Sequence, residues 1–153
     1  AELELDWLAT DNLVLYANLG LLAAEFDQHI DADGNDLAGR EQAQAPSYQY
    51  AIGGRVDLGA GFYLRADLEG RDNYYFSDRH DVKSPSYDLL NMRLGYTTGN
   101  WSVALWGRNL TDKDYYVRGF GTFGNDPRKD YQVEPYYQYG EPRMIGASAS
   151  YTF

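Results

Sequence analysis

The sequence predicts an all-β protein: an antiparallel transmembrane β-barrel segment of about seven meandering strands. Three observations predict it. Apolar and polar residues alternate with period two along most of the chain, the signal of half-buried strands. The stretches marked this way are joined by connections that run short, long, short, long, short, long. Tyr, Trp and Phe, numbering 15, 3 and 6, make up 16% of the 153 residues, and several fall near the short turns.

The first strand is "AELELDWLA", with Leu3, Leu5 and Trp7 against Glu2, Glu4 and Asp6. "TDN" turns the chain into "LVLYANLGLLAAEF", where Leu13, Leu15, Ala17, Leu19 and Leu21 form one candidate face. A long polar connection follows, up to "SYQYAIGGRVDL". There Tyr48, Tyr50, Ile52, Gly54, Val56 and Leu58 oppose Gln49, Arg55 and Asp57. After "GAG", the stretch "FYLRADLEGRDNYYF" sets Phe62, Leu64, Ala66 and Leu68 against Tyr63, Arg65, Asp67, Glu69 and Arg71. "SDRHDVKSP" is the second long connection. Then Leu90, Met92, Leu94 and Tyr96 face away from Asn91, Arg93 and Gly95. "TTGN" leads into "WSVALWGRNLTDKDYY", with Trp101, Val103 and Leu105 opposite Ser102 and Arg108; Trp106 interrupts that polar face. A third long, Tyr-rich connection precedes the closing strand, where Ile145, Ala147, Ala149, Tyr151 and Phe153 alternate with Gly146, Ser148, Ser150 and Thr152.

From the third strand onward the apolar face carries no charge at these positions. A Lys or Arg facing lipid at mid-depth costs about 2–4 kcal/mol, whereas a wet lumen tolerates charge. Short turns at one end and long loops at the other are the outer-membrane pattern. Tyr96, Trp101, Tyr151 and Phe153 lie near the short-turn end, as an interfacial girdle would. Two other readings explain the alternation: a soluble β-barrel or sandwich binder with one face on a core, and a small outer-membrane β-barrel enzyme using His29 or His80.

The mean hydropathy of -0.58 fits, because only alternate residues of a barrel face lipid. No apolar run approaches the roughly 20 residues of a spanning helix. The net charge of -10 argues against nucleic acid, whose phosphates require Lys and Arg. With no Cys, disulfides and thiolate metal sites are excluded. Single-chain bacterial barrels have an even number of strands, and open edges in hydrocarbon leave costly unpaired backbone groups. Either a strand is hidden in the long second strand or the third connection, or residues 1–153 are the C-terminal part of a larger barrel. Ala1 opens directly into alternation, which reads as a piece of a longer chain or a processed product.

The stretch "YTTGNWSVALWGRNLTDKDYY", followed by a loop and "GEPRMIGASASYTF", resembles the C-terminal end of TonB-dependent outer-membrane receptors. The carriers are Trp101 and Val103, then Asn109, Leu110, Asp112 and Tyr115, then Gly140, Pro142, Arg143 and Phe153. "LAGREQAQAPSYQY", with Gly39, Arg40, Ala45 and Pro46, and "LGLLAAEF" are also similar to this family. The resemblance implies a barrel of about 22 strands with a plug domain in its lumen, the plug lying outside this sequence. It implies partners in outer-membrane lipid, the plug, the TonB system acting through it, and the barrel-assembly machinery. Cargo would be a ferric siderophore, with haem, cobalamin or an oligosaccharide as alternatives.

Within that resemblance, cargo contact is expected from Tyr131, Tyr136, Tyr137 and Tyr139, with Arg118, Arg128 and Lys129 nearby. Rings stack on flat ligands and guanidinium suits carboxylate or phosphate. Arg55, Asp57, Arg65, Asp67, Glu69, Arg71 and Arg93 are expected to face the lumen and the plug. Tyr151 and Phe153 are expected to carry the assembly signal. No catalytic residue or cofactor is assigned. His29 and His80, both in long connections, read as surface residues. "DADGND" (Asp31, Asp33, Asn35, Asp36) is like a calcium loop but lacks the Gly and Glu placement of an EF-hand.

Overall fold

A computed structural model describes residues 1–31, 33–120, 126–132 and 134–153. The strands are β1 Glu2–Thr10, β2 Leu13–Leu21, β3 Tyr48–Gly59, β4 Phe62–Arg71, β5 Tyr74–Tyr75, β6 Lys83–Ser84, β7 Tyr87–Thr98, β8 Trp101–Arg108, β9 Tyr116–Phe120, β10 Tyr136–Tyr139 and β11 Met144–Tyr151. Seven of them form one antiparallel sheet in the order β1-β2-β3-β4-β7-β8-β11. Each long strand therefore pairs with the long strands next to it along the chain. The remaining strands make two small hairpins, β5 with β6 and β9 with β10, inside the second and third long connections.

The register carries the faces across all seven strands. Leu64 sits opposite Leu94, Leu94 opposite Leu105, and Leu105 opposite Ala147. Leu3, Leu19 and Tyr50 form a similar row. Paired residues share a face, so the apolar positions read from the sequence form one continuous surface. That surface is exposed: Leu105 keeps 62% of its accessible area and Ile145 75%. Among the described residues the buried hydrophobic side chains are only Tyr74, Phe76, Leu89 and Ala104. Among the described residues no second layer closes over the apolar side of the sheet. Ladder bonds join the seven strands, with β1 and β11 paired in this sheet on one side only, and large outward side chains such as Leu105 and Ile145 stay exposed.

Strand ends differ from the sequence expectation in four places. The second strand stops at Leu21 rather than running on to Phe26. The fourth stops at Arg71, where Asp72 accepts the Asn73 amide at 2.8 Å, and the chain restarts as β5. The strand beginning at Trp101 ends at Arg108, because Asn109 turns into the left-handed region with φ 47°. The closing strand runs from Met144 to Tyr151 and leaves Phe153 beyond it. At the opposite end the chain reverses tightly through Gly59, Ala60 and Gly61, all at positive φ, where Gly is the natural occupant.

Candidate functional site

Three features of the sheet bear on function: its polar face, its aromatic rim and the cap made by its long connections.

The polar face is layered. Arg55, Arg65 and Arg93 stand directly opposite one another on β3, β4 and β7. Like charges at such pairs repel, and the neighbours relieve them. Arg55 meets Asp57 at 2.9 Å, and Arg65 meets Asp67 at 2.9 Å and donates to the Tyr16 hydroxyl at 3.0 Å. Among the described residues Arg93 has no carboxylate partner; it donates to the Tyr63 hydroxyl at 3.0 Å and to Ser148 Oγ at 3.1 Å. Toward the long-loop end the signs invert: Asp67 and Asn91 are opposite each other, and Glu69 accepts from Asn91 at 3.3 Å. On β1, Glu2, Glu4 and Asp6 extend this acidic zone along the same face. All six lumen candidates and Arg71 thus lie on one side. Trp106 lies there too. Its indole rests over Gly146, and Tyr63 rests over Gly95, where a side chain on either glycine would collide with the ring. Rings seated on cross-strand glycines explain why an aromatic occurs on a polar face.

The aromatic rim lies on the opposite face at the short-turn end. Phe62 contacts Tyr96 at 4.4 Å, Trp101 contacts Tyr151 at 5.0 Å, and Tyr151 contacts Phe153 at 5.1 Å between ring centroids. Trp7 is on the same face near the β1–β2 turn, 55% exposed. At the other end of this face Tyr48 and Tyr50 stack at 6.4 Å, and the Tyr50 hydroxyl donates to Asp88. Asp88 is the one charge on this face of the seven strands among the described residues.

The long connections form the cap. Tyr136, Tyr137 and Tyr139 belong to strand β10 rather than to an irregular loop, and Arg118 lies opposite Gln138 on β9. Tyr137 packs against Tyr116 at 4.7 Å and Phe76 at 5.2 Å, so it is partly structural. Tyr139 contacts Tyr116 at 5.0 Å and stays 62% exposed. Tyr131 is also open to solvent. Arg118 lies over Phe120 at 4.5 Å. Arg128 is held by Asp126 at 2.8 Å, which keeps the Asp126 carboxyl below its ordinary range. Beneath the cap, a groove of about 580 Å³ runs along the polar face, lined by Glu4, Asn18, Glu69 and Tyr87 and flanked by Tyr115 and Val117 of the third connection.

His29 Nε2 is 3.7 Å from Asp78, and His80 Nδ1 accepts the Val82 amide at 3.1 Å. In the Asp-rich turn, Asp31 accepts from the Asn35 side chain and from the amides of Asn35 and Asp33, which lowers its carboxyl below the usual range. Its oxygens are thus engaged within their own turn.

Sequence reasoning did not assign a role to Asn109. It is buried, donates to the carbonyls of Lys113 and Glu141 at 2.9 and 3.0 Å, and accepts the Lys113 amide at 2.9 Å. Asp112 accepts the Arg143 amide at 3.1 Å and pairs with its guanidinium at 3.3 Å. The "NLTD" and "GEPR" motifs are thus two halves of one knot closing the base of the third connection.

No protein-family model matches the chain. A ferric-pyoverdine receptor from a Pseudomonas strain is 38% identical over 88 residues, 54% of this chain and 10% of that protein. The ferrioxamine receptor of Yersinia enterocolitica is 24% identical over 159 residues, 99% of this chain and 20% of that protein. The crystal structure of the siderophore receptor PiuA from Acinetobacter baumannii superposes with a TM-score of 0.76 at 18% identity, covering 97% of this chain and 20% of that one. The sheet has the fold of a siderophore receptor's barrel. The ferric yersiniabactin uptake receptor FyuA from Yersinia pestis agrees, with a TM-score of 0.73 at 18% identity over 97% of this chain and 22% of that one. The resemblance to TonB-dependent outer-membrane receptors read from the motifs stands, and the relatives named are receptors rather than enzymes. The chain spans about a fifth or less of the length of the curated relatives it matches.

Proposed function

We propose that this chain is the C-terminal part of the barrel of an outer-membrane receptor for energy-coupled uptake of a ferric siderophore. The observation that supports this reading is the two-sided wall: apolar, charge-poor and uncovered on one face, layered with charge on the other. Such a sheet is stable where lipid bathes the first face and water or polar protein meets the second. In the complete receptor about 22 strands enclose a plug domain. Arg55, Asp57, Arg65, Asp67, Glu69 and Arg93 contact the plug, and the plug couples to the TonB system. Tyr131, Tyr136, Tyr139, Arg118 and Arg128 offer rings and guanidinium groups to cargo at the long-loop end, with Tyr137 contributing more to packing. Tyr151 and Phe153, closing the aromatic rim, present the signal recognised by the barrel-assembly machinery.

The test is genetic and direct. Cells lacking the protein are grown under iron limitation with a panel of ferric siderophores, including pyoverdine and ferrioxamine types, and radiolabelled iron uptake is measured. Loss of uptake for one class, restored by the gene, is the expected result. Wild-type uptake of every member of the panel removes the cargo assignment. Recovery of the protein in the soluble fraction rather than the outer membrane removes the wall reading as well.

A further inference from the structure

We propose that the segment from Arg40 to Gln44 is a latch that joins the three long connections into one cap over the loop end of the polar face. The inference rests on the reading above only in taking that end as the entry side.

The latch is built from two side chains. Arg40, in the first connection, reaches into the second. Its guanidinium donates to Asp81 at 2.8 Å, to the Ser77 carbonyl at 3.0 Å and to the His80 carbonyl at 2.6 Å, and lies 4.0 Å over the Tyr75 ring. Only 13% of the Arg40 side chain remains exposed. Charge-assisted, multidentate bonds of this kind hold geometry as well as adding energy. Next to it, Glu41 pairs with Lys83 at 2.7 Å, and the Lys83 ammonium is 4.2 Å from the same ring centroid.

Gln44 carries the link onward. It sits at φ 62°, donates its amide to the Tyr75 carbonyl at 2.8 Å, and donates its side-chain Nε2 to the carbonyls of Phe76 at 3.0 Å and Gly119 at 3.3 Å. The last of these belongs to β9. Phe76 completes the joint: its ring lies against Gly119 and contacts Tyr116 at 6.0 Å. A left-handed Gln is uncommon, and here it allows one residue to touch both the second and third connections. These partners of Arg40 and Gln44 all lie in the long connections, and none lies in the seven strands of the wall. The latch therefore acts on the cap and not on the sheet. The hairpin it holds flanks the groove through Tyr115 and Val117, so releasing the latch frees the rim of that groove.

Arg40 and Gln44 are positioning residues on this account, so the diagnostic readout is coupling at a distance. Hydrogen exchange is measured by mass spectrometry on the full-length protein in detergent, for wild type, Arg40→Ala, Arg40→Lys and Gln44→Gly. Arg40→Ala is expected to speed exchange about tenfold or more at 75–82 and also at 116–120, which Arg40 does not touch. Arg40→Lys, keeping the charge but not the fork, falls between. Gln44→Gly, tolerated at positive φ, loosens 116–120 and leaves 77–81 protected. An effect of Arg40→Ala confined to 77–81 defeats the latch. If that variant fails to assemble, unchanged exchange at 116–120 in Gln44→Gly defeats it instead. Protection of β3, β4 and β7 in the same data tests the wall separately: its loss in wild-type protein with coupled loops sinks the receptor reading and spares the latch.

Discussion

The wall and its cap are stabilised by opposite means. In the wall, large apolar side chains such as Leu94, Leu105 and Ile145 point away from the protein, and order comes from the hydrogen-bond ladder. In the cap, Tyr74, Phe76 and Ser84 are buried among loop residues as in a small soluble domain. The wall requires an apolar solvent to cover one face, whereas the cap supplies its own interior. The cap can therefore vary or rearrange while the wall stays intact.

The comparison can be broken by substitutions aimed at each part. Phe76→Ala removes the central ring of the cap and is expected to cost about 3–5 kcal/mol locally. Protease sensitivity of the long connections rises while the wall stays resistant; equal loss in both shows that the two regions are not separable. Leu94→Arg places a charge at mid-depth on the apolar face, at about 2–4 kcal/mol. It is expected to abolish outer-membrane assembly, scored by heat-modifiable gel mobility, while Asn91→Arg on the polar face of the same strand assembles normally. Two equally assembled variants contradict the assignment of lipid to one side. Asn109→Ala strands the amide of Lys113 and the carbonyls of Lys113 and Glu141, costing about 1–3 kcal/mol. Faster hydrogen exchange at 109–116 and 140–143 is the expected signature.

The smallest effect is one of pH. Bonding to Glu41 raises the Lys83 ammonium above its ordinary value. A raised pKa contributes stability that is complete below the unfolded value near 10.4 and is lost as pH rises through the folded one. Cap proteolysis is therefore expected to be flat through neutral pH and to increase only in strong alkali. Glu41→Gln, which removes the carboxylate that holds Lys83 charged, flattens that response.

The wall was legible because its rules are local. Alternation assigns a face strand by strand, and the paired apolar positions from Leu3 to Tyr151 share the side expected from their spacing, whereas Leu58 falls at a register shift and Phe153 lies beyond the last strand. What remained hidden depends on residues distant in sequence. Trp106 looked like an error on the polar face until β11 placed Gly146 beneath it. Tyr136, Tyr137 and Tyr139 resembled loop because their partners, 116–120, precede them across a long polar stretch. Arg40 stood inside a segment that carries the resemblance, yet neither it nor Gln44 showed a clamping role, because that role depends on partners at 75–81 and on Gly119. Asn109 stood inside a visible motif, yet its role required Glu141 to return beside it.

The order β1-β2-β3-β4-β7-β8-β11 has one more implication. No long strand reaches past its chain neighbour, so two added strands and their turn enlarge the girth of such a wall without severing an existing partnership. Genes encoding walls of this kind can grow by duplicating a hairpin, and lineages need share only the rhythm of alternation, not the residues, to keep the same architecture.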